Sequence, residues 1–294
     1  MSGALKEVRN RIKSVQSTQQ ITKAMKMVSA AKLRRAQDAI TQMRPYAQKL
    51  QDMLSNIVSN SDGDINLALA TERPVEKVLI IVVTSDRGLC GGYNSNLIKL
   101  AKQIASEKYP GQKAKGNITI LPIGKKGFEN FTKSAGYKVI DKYWEILHNL
   151  SFEQVQAAAR YAMDAFINKE VDAVELVYSE FKNAATQRFV SEQFLPVKKV
   201  SRPEGQKNAD FIFEPGKDVL IAELMPKILN TQLFKAALDG NASEHGARMT
   251  AMDKASDNAN ELLKQLKISY NRARQAAITT ELTEIVSGAA ALQG

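Results

Sequence analysis

The chain has 294 residues, 41 Lys and Arg against 31 Asp and Glu, and a formal charge of +10. That length predicts one or two domains with interior enough to fold without metals or disulfides; one cysteine, Cys90, and two histidines exclude a disulfide framework and a protein-only zinc site. The positive balance favours an acidic partner, whether nucleic acid, an anionic membrane surface or a carboxylate-rich protein.

From Ala4 to about Val58 a helical pattern is interrupted only by Pro45, which removes one helical hydrogen bond and predicts a kink or break there. Leu5, Val8, Ile12 and Val15 fall at heptad spacing, as do Ala36, Ile40, Met43, Ala47, Leu50, Leu54 and Ile57. The amphipathic, basic start resembles a transit peptide, but Glu7 and the unbroken heptads mark it as mature structure. Lys23, Lys26, Lys32, Arg34 and Arg35 flank Met25, Met27 and Val28. They read either as a solvated face beside a buried stripe or as a basic collar for acidic loops or phosphates.

Asn60 to Pro74, rich in Ser, Asp, Gly and Asn, predicts the loop that leaves this helix. Lys77 to Thr84 then reads as a buried parallel strand, and its core Val78 to Val83 is the longest apolar run, far short of the roughly 18 residues that span a bilayer. The chain is therefore expected to be soluble or peripheral. Ser-Asp-Arg-Gly-Leu-Cys-Gly-Gly-Tyr-Asn follows, before a helix from about Ser95 to Tyr109. Strand, glycine loop and helix is the layout of a phosphate cradle. Gly88, Gly91 and Gly92 nevertheless fit neither dinucleotide nor P-loop spacing, and Gly124-Lys125-Lys126-Gly127 lacks the upstream glycine and the metal-binding hydroxyl. No nucleotide cofactor is expected.

Further on come a strand at Ile118 to Pro122, a short helix near Phe128, a strand near Tyr137 to Ile140 and a helix from about Ser151 to Asn168. Strands at Ala173 to Phe181 and Gln187 to Pro196 complete an α/β layer domain. Val200 to Asn208 is polar with Pro and Gly, marking a boundary before helix resumes near Asp218.

Ala247 to Ser287 is about 40 residues without Gly or Pro, roughly 60 Å of helix. Met252, Ala255, Ala259, Leu262, Leu266, Ser269, Ala273 and Ala276 form a narrow small-residue seam, and Ile278, Leu282, Ile285 and Ala289 continue on a shifted face. Two long terminal helices around a globular middle most simply pair antiparallel; the plainer alternative packs both on one core. The expected division is 1–60 and 215–294 as paired helices, with 75–200 as an α/β layer domain. Nothing catalytic stands out: His148 and His245 lie far apart, without a nucleophile motif beside either, and Cys90 has no assigned base.

Four blocks carry a resemblance: Ile21-Thr-Lys-Ala-Met-Lys-Met-Val-Ser-Ala-Ala-Lys32, Thr84-Ser-Asp-Arg-Gly-Leu-Cys-Gly-Gly92, Ala247-Arg-Met-Thr-Ala-Met252, and the run from Ala273-Arg-Gln-Ala-Ala-Ile-Thr279 to Leu292. In order and content they resemble the gamma-subunit family of F-type ATP synthases. The resemblance implies an antiparallel coiled coil of the two terminal helices with a Rossmann-like α/β domain, 75–200, between them: a non-catalytic central rotor shaft without cofactor or metal, turned by a proton-driven ring of c subunits inside alternating alpha and beta subunits. Its base would join the epsilon subunit and the c ring, with membrane association only through the complex. The missing leader is taken to favour the cytoplasmic face of a bacterial inner membrane.

By the same resemblance, Arg274 and Gln275, with Thr279 nearby, would engage an acidic catch loop of beta. Met25, Lys26, Arg87, Cys90 and Arg248 would form a beta-facing collar, with Arg248 across from Met25 and Lys26. Ile285, Val286 and Leu292 would form a tip turning in an apolar sleeve, and Phe211, Phe213 and Glu214 a foot for epsilon and the c ring. Gly240 and Gly246, where the family has better helix formers, cost about 1 kcal/mol each against Ala and predict a softer or interrupted helix there. One cysteine also rules out the redox-switch pair of the chloroplast branch. The rival reading from the residues alone is a basic coiled-coil scaffold binding nucleic acid, which lacks aromatic or Arg readout residues. A Rossmann-like enzyme lacks the cofactor fingerprint.

Overall fold

A computed structural model describes residues 3–59, 68–184, 186–197 and 217–292, with side chains described in them except at 3, 4, 51, 52, 54–59, 217–221 and 292. Helix α1 spans Gly3–Ser59 and α6 spans Lys217–Leu292. Between them come β1 (Val78–Val83), α2 (Tyr93–Glu107), α3 (Pro110–Ala114), β2 (Ile118–Ile123), α4 (Lys125–Thr132), β3 (Lys138–Val139), α5 (Phe152–Ile167), β4 (Ala173–Phe181) and β5 (Gln187–Leu195). The expected helix–middle–helix order is what the chain adopts. Pro45 does not break α1, which continues helical on both sides of it.

The five strands run in the order β3-β2-β1-β4-β5, with β1 to β4 parallel and β5 antiparallel to β4. Strand alternation divides the core. Leu79, Ile81 and Val83 face α5 and the α6 residues Leu229, Leu233, Ala236 and Ala237, whereas Val78, Ile80 and Val82 face Leu97, Ala101 and Ala105 of α2 and Phe131 of α4. All six residues of β1 are buried, as a central strand covered by helices on both faces demands.

The chain forms two compact units, residues 1–29 with 249–294, and residues 30–248. In the first, α1 and α6 pair antiparallel: Arg9 donates to the Tyr270 hydroxyl, Gln19 to Asn260, Thr22 shares a hydroxyl bond with Ser256, and Lys26 pairs with Asp253. As one partner climbs from 9 to 26, the other descends from 270 to 253.

On α1 the seam follows the expected heptads through Leu5, Val8, Ile12 and Val15, then Ala36, Ile40, Met43, Ala47 and Leu50, joined by Gln19, Thr22, Ser29 and Leu33. The side chains of Leu54 and Ile57 lie outside the described residues. On α6 the expected seam is half right. Met252, Ala259, Leu266 and Ala273 are buried or half-buried as expected, but the alternate rungs are Ser256, Leu263, Tyr270 and Ala277, each one residue beyond Ala255, Leu262, Ser269 and Ala276. Ser269 and Ala276 are exposed, and Ala255 and Leu262 flank the seam half-buried. Hydroxyls explain the Ser256 rung: Ser256 satisfies its oxygen on Thr22 and on the Met252 carbonyl, so a polar residue takes a buried place without penalty.

Candidate functional site: the sheet crevice and the exposed helix faces

In an open parallel sheet, ligands enter the crevice beyond the carboxyl ends of the strands where the strand order reverses. Here that point lies between β1 and β4, and the glycine loop leaves β1 beside it. The loop is wound around its own polar groups. Asn94 accepts from the Ser85 N–H at 2.9 Å and donates to the Ser85 hydroxyl at 2.7 Å, while Ser85 donates to the Arg87 carbonyl at 2.7 Å. Leu89 and Gly91 take left-handed backbone, with φ of 62° and 59°.

The crevice is filled by α6. Gly240 has no β-carbon, and its carbonyl accepts from the Tyr93 hydroxyl at 2.9 Å. Ser243 donates to the Ser179 carbonyl at 3.1 Å. Arg248 then clasps the loop, donating through Nη2 to the Arg87 carbonyl at 2.8 Å and through Nε to the Gly88 carbonyl at 3.2 Å. Its Nη1 pairs with Glu244 at 2.6 Å, and both side chains are buried. Burial pushes the Glu244 carboxyl up, and the neighbouring Arg248 guanidinium opposes that rise. His245 is pushed down to about 4 by burial and by the charges of Arg248 and Lys32. The place where a Rossmann-like domain takes its ligand is thus occupied by the chain's own helix.

The second cradle is closed from within as well. At the start of α4, the Lys125 N–H donates to the Asp86 carboxylate at 3.1 Å, the Lys126 N–H to the Ser85 carbonyl at 3.0 Å and the Gly127 N–H to the Thr84 hydroxyl at 2.9 Å. Asp86 takes the position at the helix N-terminus that a phosphate oxygen would take. A β-carbon on Gly124, whose φ is 110°, would lie 2.5 Å from the Thr84 carbonyl oxygen, so the turn needs glycine.

Gly240 and Gly246 do not interrupt the helix, which corrects that part of the expectation. Helix α6 runs unbroken through both, and each glycine admits a close neighbour: a β-carbon would stand 2.9 Å from Val83 Cγ1 at Gly240 and 3.1 Å from the Ala184 oxygen at Gly246.

The exposed candidates divide by place. Arg274, Gln275 and Thr279 are all exposed on α6, and Thr279 turns its hydroxyl back onto the Gln275 carbonyl at 3.0 Å. Ile278, Leu282, Ile285 and Val286 form an exposed apolar run, Ile285 and Val286 each 67% exposed; the Leu292 side chain lies outside the described residues. On α1, Met25 and Lys26 are half-buried, while Ile21, Met27 and Val28 stand exposed. Arg87 is exposed at the loop tip beside Leu89.

Two collar assignments are corrected. Cys90 is buried, with its thiol facing Asn94 and Ser85, and Arg248 spends its guanidinium inside the fold, so both shape the loop from within rather than present a surface. Phe211, Phe213 and Glu214 lie outside the described residues. The partners Glu244, His245 and Asp253 were missed from sequence, although Glu244 and Arg248 stand one helical turn apart on one face, a spacing that signals an ion pair. Among the described residues no group of three or more His, Cys, Asp or Glu could hold a metal ion, and no helix is long and apolar enough to cross a membrane.

The ATP synthase family model matches residues 4–292. The ATP synthase gamma chain of Cytophaga hutchinsonii is 52% identical over 292 residues, covering 98% of this chain and 99% of that one. The chain belongs to the ATP synthase gamma family. The gamma chain of Flavobacterium johnsoniae is 51% identical over 290 residues, with 99% of each chain covered. Among solved structures, a chain of the central stalk and c ring of Tetrahymena thermophila mitochondrial ATP synthase matches with TM-score 0.56 at 25% identity, over 80% of this chain and 99% of that one. A chain of the Euglena gracilis mitochondrial enzyme shares the fold with TM-score 0.66 at 21% identity, over 99% of this chain and 95% of that one. As a member of the ATP synthase gamma family, the chain is a non-catalytic central-stalk subunit of a membrane-associated complex. A crevice sealed by its own helix suits such a subunit.

Proposed function

We propose that the chain is the turning shaft of an F-type ATP synthase. Proton flow through a ring of c subunits turns it inside a hexamer of alpha and beta subunits, and its asymmetry drives each beta site in turn through binding, synthesis and release of ATP. The single observation that carries this reading is end-to-end similarity, at half identity or slightly more, to chains named as ATP synthase gamma. Because those relatives are bacterial, the cytoplasmic face of the inner membrane is the proposed place of work.

Within that reading, Arg274, Gln275 and Thr279 engage an acidic catch loop of beta; all three are exposed, and neither Arg274 nor Gln275 spends its side chain on an ion pair or hydrogen bond among the described residues. Arg87, and separately Met25 and Lys26, also meet beta. Individual exposed pairs are worth only about 0 to 1 kcal/mol, which suits contacts that must break at every step. Ile285 and Val286, with Leu292, turn in an apolar sleeve, where the lack of fixed polar partners leaves rotation smooth. Phe211, Phe213 and Glu214 serve the epsilon and c-ring end. Residues 1–60 and 215–294 transmit torque, and 75–200 buttresses them.

The deciding experiment mixes this chain with cognate alpha and beta subunits and follows ATPase activity and size-exclusion elution on one sample. Co-elution with activity that requires the chain is the expected outcome. Separate elution with unchanged activity overturns the reading.

A further inference from the structure

Apart from the sealed crevice, the unit formed by residues 30–248 contains a cavity of about 550 Å³. That volume lies within the range of small-molecule sites, roughly 300–1,000 Å³. One wall comes from α1 around Pro45, another from the end of β4 and the third from α6. Ile40, Met43, Phe181 and Leu238 make it apolar, and Arg44, Glu180, Lys235 and Asp239 bring four charges to it.

These charges are not equivalent. Glu180 already pairs with Arg188 at 3.6 Å and lies partly in solvent. Asp239 is only 3% exposed, yet it makes no hydrogen bond or ion pair among the described residues. Its oxygens are not among the enclosed polar atoms without a partner, which among the described residues are Ser179 Oγ and Asn230 Oδ1, so the carboxylate reaches the cavity and takes its hydration from there, where an arriving donor can replace water. Arg44 and Lys235 are exposed, and neither forms an ion pair among the described residues. The cavity therefore has an anion deep inside, two unspent cations at its lip and apolar walls between.

We propose that this cavity binds a small amphipathic zwitterion, its ammonium on Asp239, its anionic group on Arg44 and Lys235, and its apolar body against Ile40, Met43 and Phe181. A simple cation would meet the two lip charges unfavourably, and a simple anion would leave Asp239 unpaired; only a molecule carrying both charges satisfies both ends. The groups facing Asp239 from each surrounding element agree with this. Arg44 of α1 and Lys235 of α6 favour its ionised form, Glu180 of β4 and Glu192 of β5 oppose it, and burial outweighs them all, holding the carboxyl at about 6. An arriving ammonium takes the place of cavity water at this carboxylate.

Calorimetric titration of the full chain with L-phenylalanine, with phenethylamine and with hydrocinnamate tests this, since the two analogues each lack one charge. L-Phenylalanine is expected to bind more tightly than either. Asp239→Asn is expected to weaken it at least about ten-fold, as losing a charge-assisted hydrogen bond should. The double variant Arg44→Gln, Lys235→Gln is expected to weaken L-phenylalanine but leave phenethylamine no weaker. Circular dichroism shows whether each variant is folded, and the lip variant, altered only at exposed positions, keeps the test valid if Asp239→Asn is not. Equal binding of all three probes, no binding of any, or undiminished L-phenylalanine binding to a folded variant overturns the proposal.

Discussion

Gly240 lies so close to Val83 that a β-carbon built on it would stand 2.9 Å from Val83 Cγ1. Val83 ends β1, its side chain is branched at the β-carbon and stiff, and it cannot swing away. Gly240→Ala should gain about 1 kcal/mol of helix propensity and lose about 1–3 kcal/mol to overpacking. The expected result is a lower thermal midpoint, read by calorimetry of the purified chain. A higher midpoint would mean that α6 lifts from the sheet at little cost.

The fold was largely legible because its signals are local. β4 has the bounds expected for it, Ala173–Phe181, β1 falls within the β-branched run, and the α1 seam follows its apolar heptads. Where two neighbours are both apolar or both small, pattern cannot choose between them: Leu262 and Leu263 are adjacent, and Leu263 is the one that is buried. Ser256 is no more apolar than the exposed Ser269, and only its partner Thr22, distant in sequence, makes it a seam residue. The glycine loop has the strand-loop-helix layout of a cradle without the glycine spacing of one. What fills it, α6 through Gly240 and Arg248, is some 150 residues away and leaves no mark in the loop itself.

The catch-loop assignment predicts a separation of effects. Because Arg274 and Gln275 are exposed and contribute nothing visible to packing, replacing both with Ala should leave the thermal midpoint of the chain nearly unchanged. In the reconstituted complex each lost pair is worth up to about 1 kcal/mol, about five-fold in rate if it acts at the rate-limiting step. ATP synthesis and hydrolysis should both fall while the complex still elutes intact. Loss of assembly with normal activity in the remainder would count against the assignment.

Arg248 makes the opposite prediction, since its work is internal. Arg248→Gln leaves Glu244 buried without its ion partner, and breaking a buried pair costs about 3–5 kcal/mol. It also releases the Arg87 and Gly88 carbonyls. Amide exchange should accelerate in the loop from Asp86 to Gly92, and denaturant unfolding should shift to lower concentration. Adding Glu244→Gln should recover part of the stability without restoring loop protection, because the orphaned charge is gone while the clasp remains absent. Full recovery of both would show that the loop is held by Asn94 alone.

Two groups on α6 should pull stability in opposite directions as pH changes. Asp239 is raised from 3.8 to about 6, so across that interval the folded chain holds a proton that the unfolded chain has lost. Its contribution is full below 3.8 and declines as pH rises through about 6. His245 is lowered from 6.5 to about 4, so the unfolded chain binds the extra proton; its contribution is full above 6.5 and declines as pH falls through about 4. Each slope approaches about 1.4 kcal/mol per pH unit where the protonation difference is one, and they have opposite signs over nearly the same interval. Between pH 4 and 6 these two contributions should therefore largely cancel. Asp239→Asn should bring out the histidine slope, stability rising with pH, reduced by the opposing fall from the raised Glu244, and His245→Gln the carboxylate slope, stability falling with pH, to which Glu244 adds. Urea titrations of the three proteins across this interval measure both, and a slope unaltered by either substitution would show that these groups do not govern the balance.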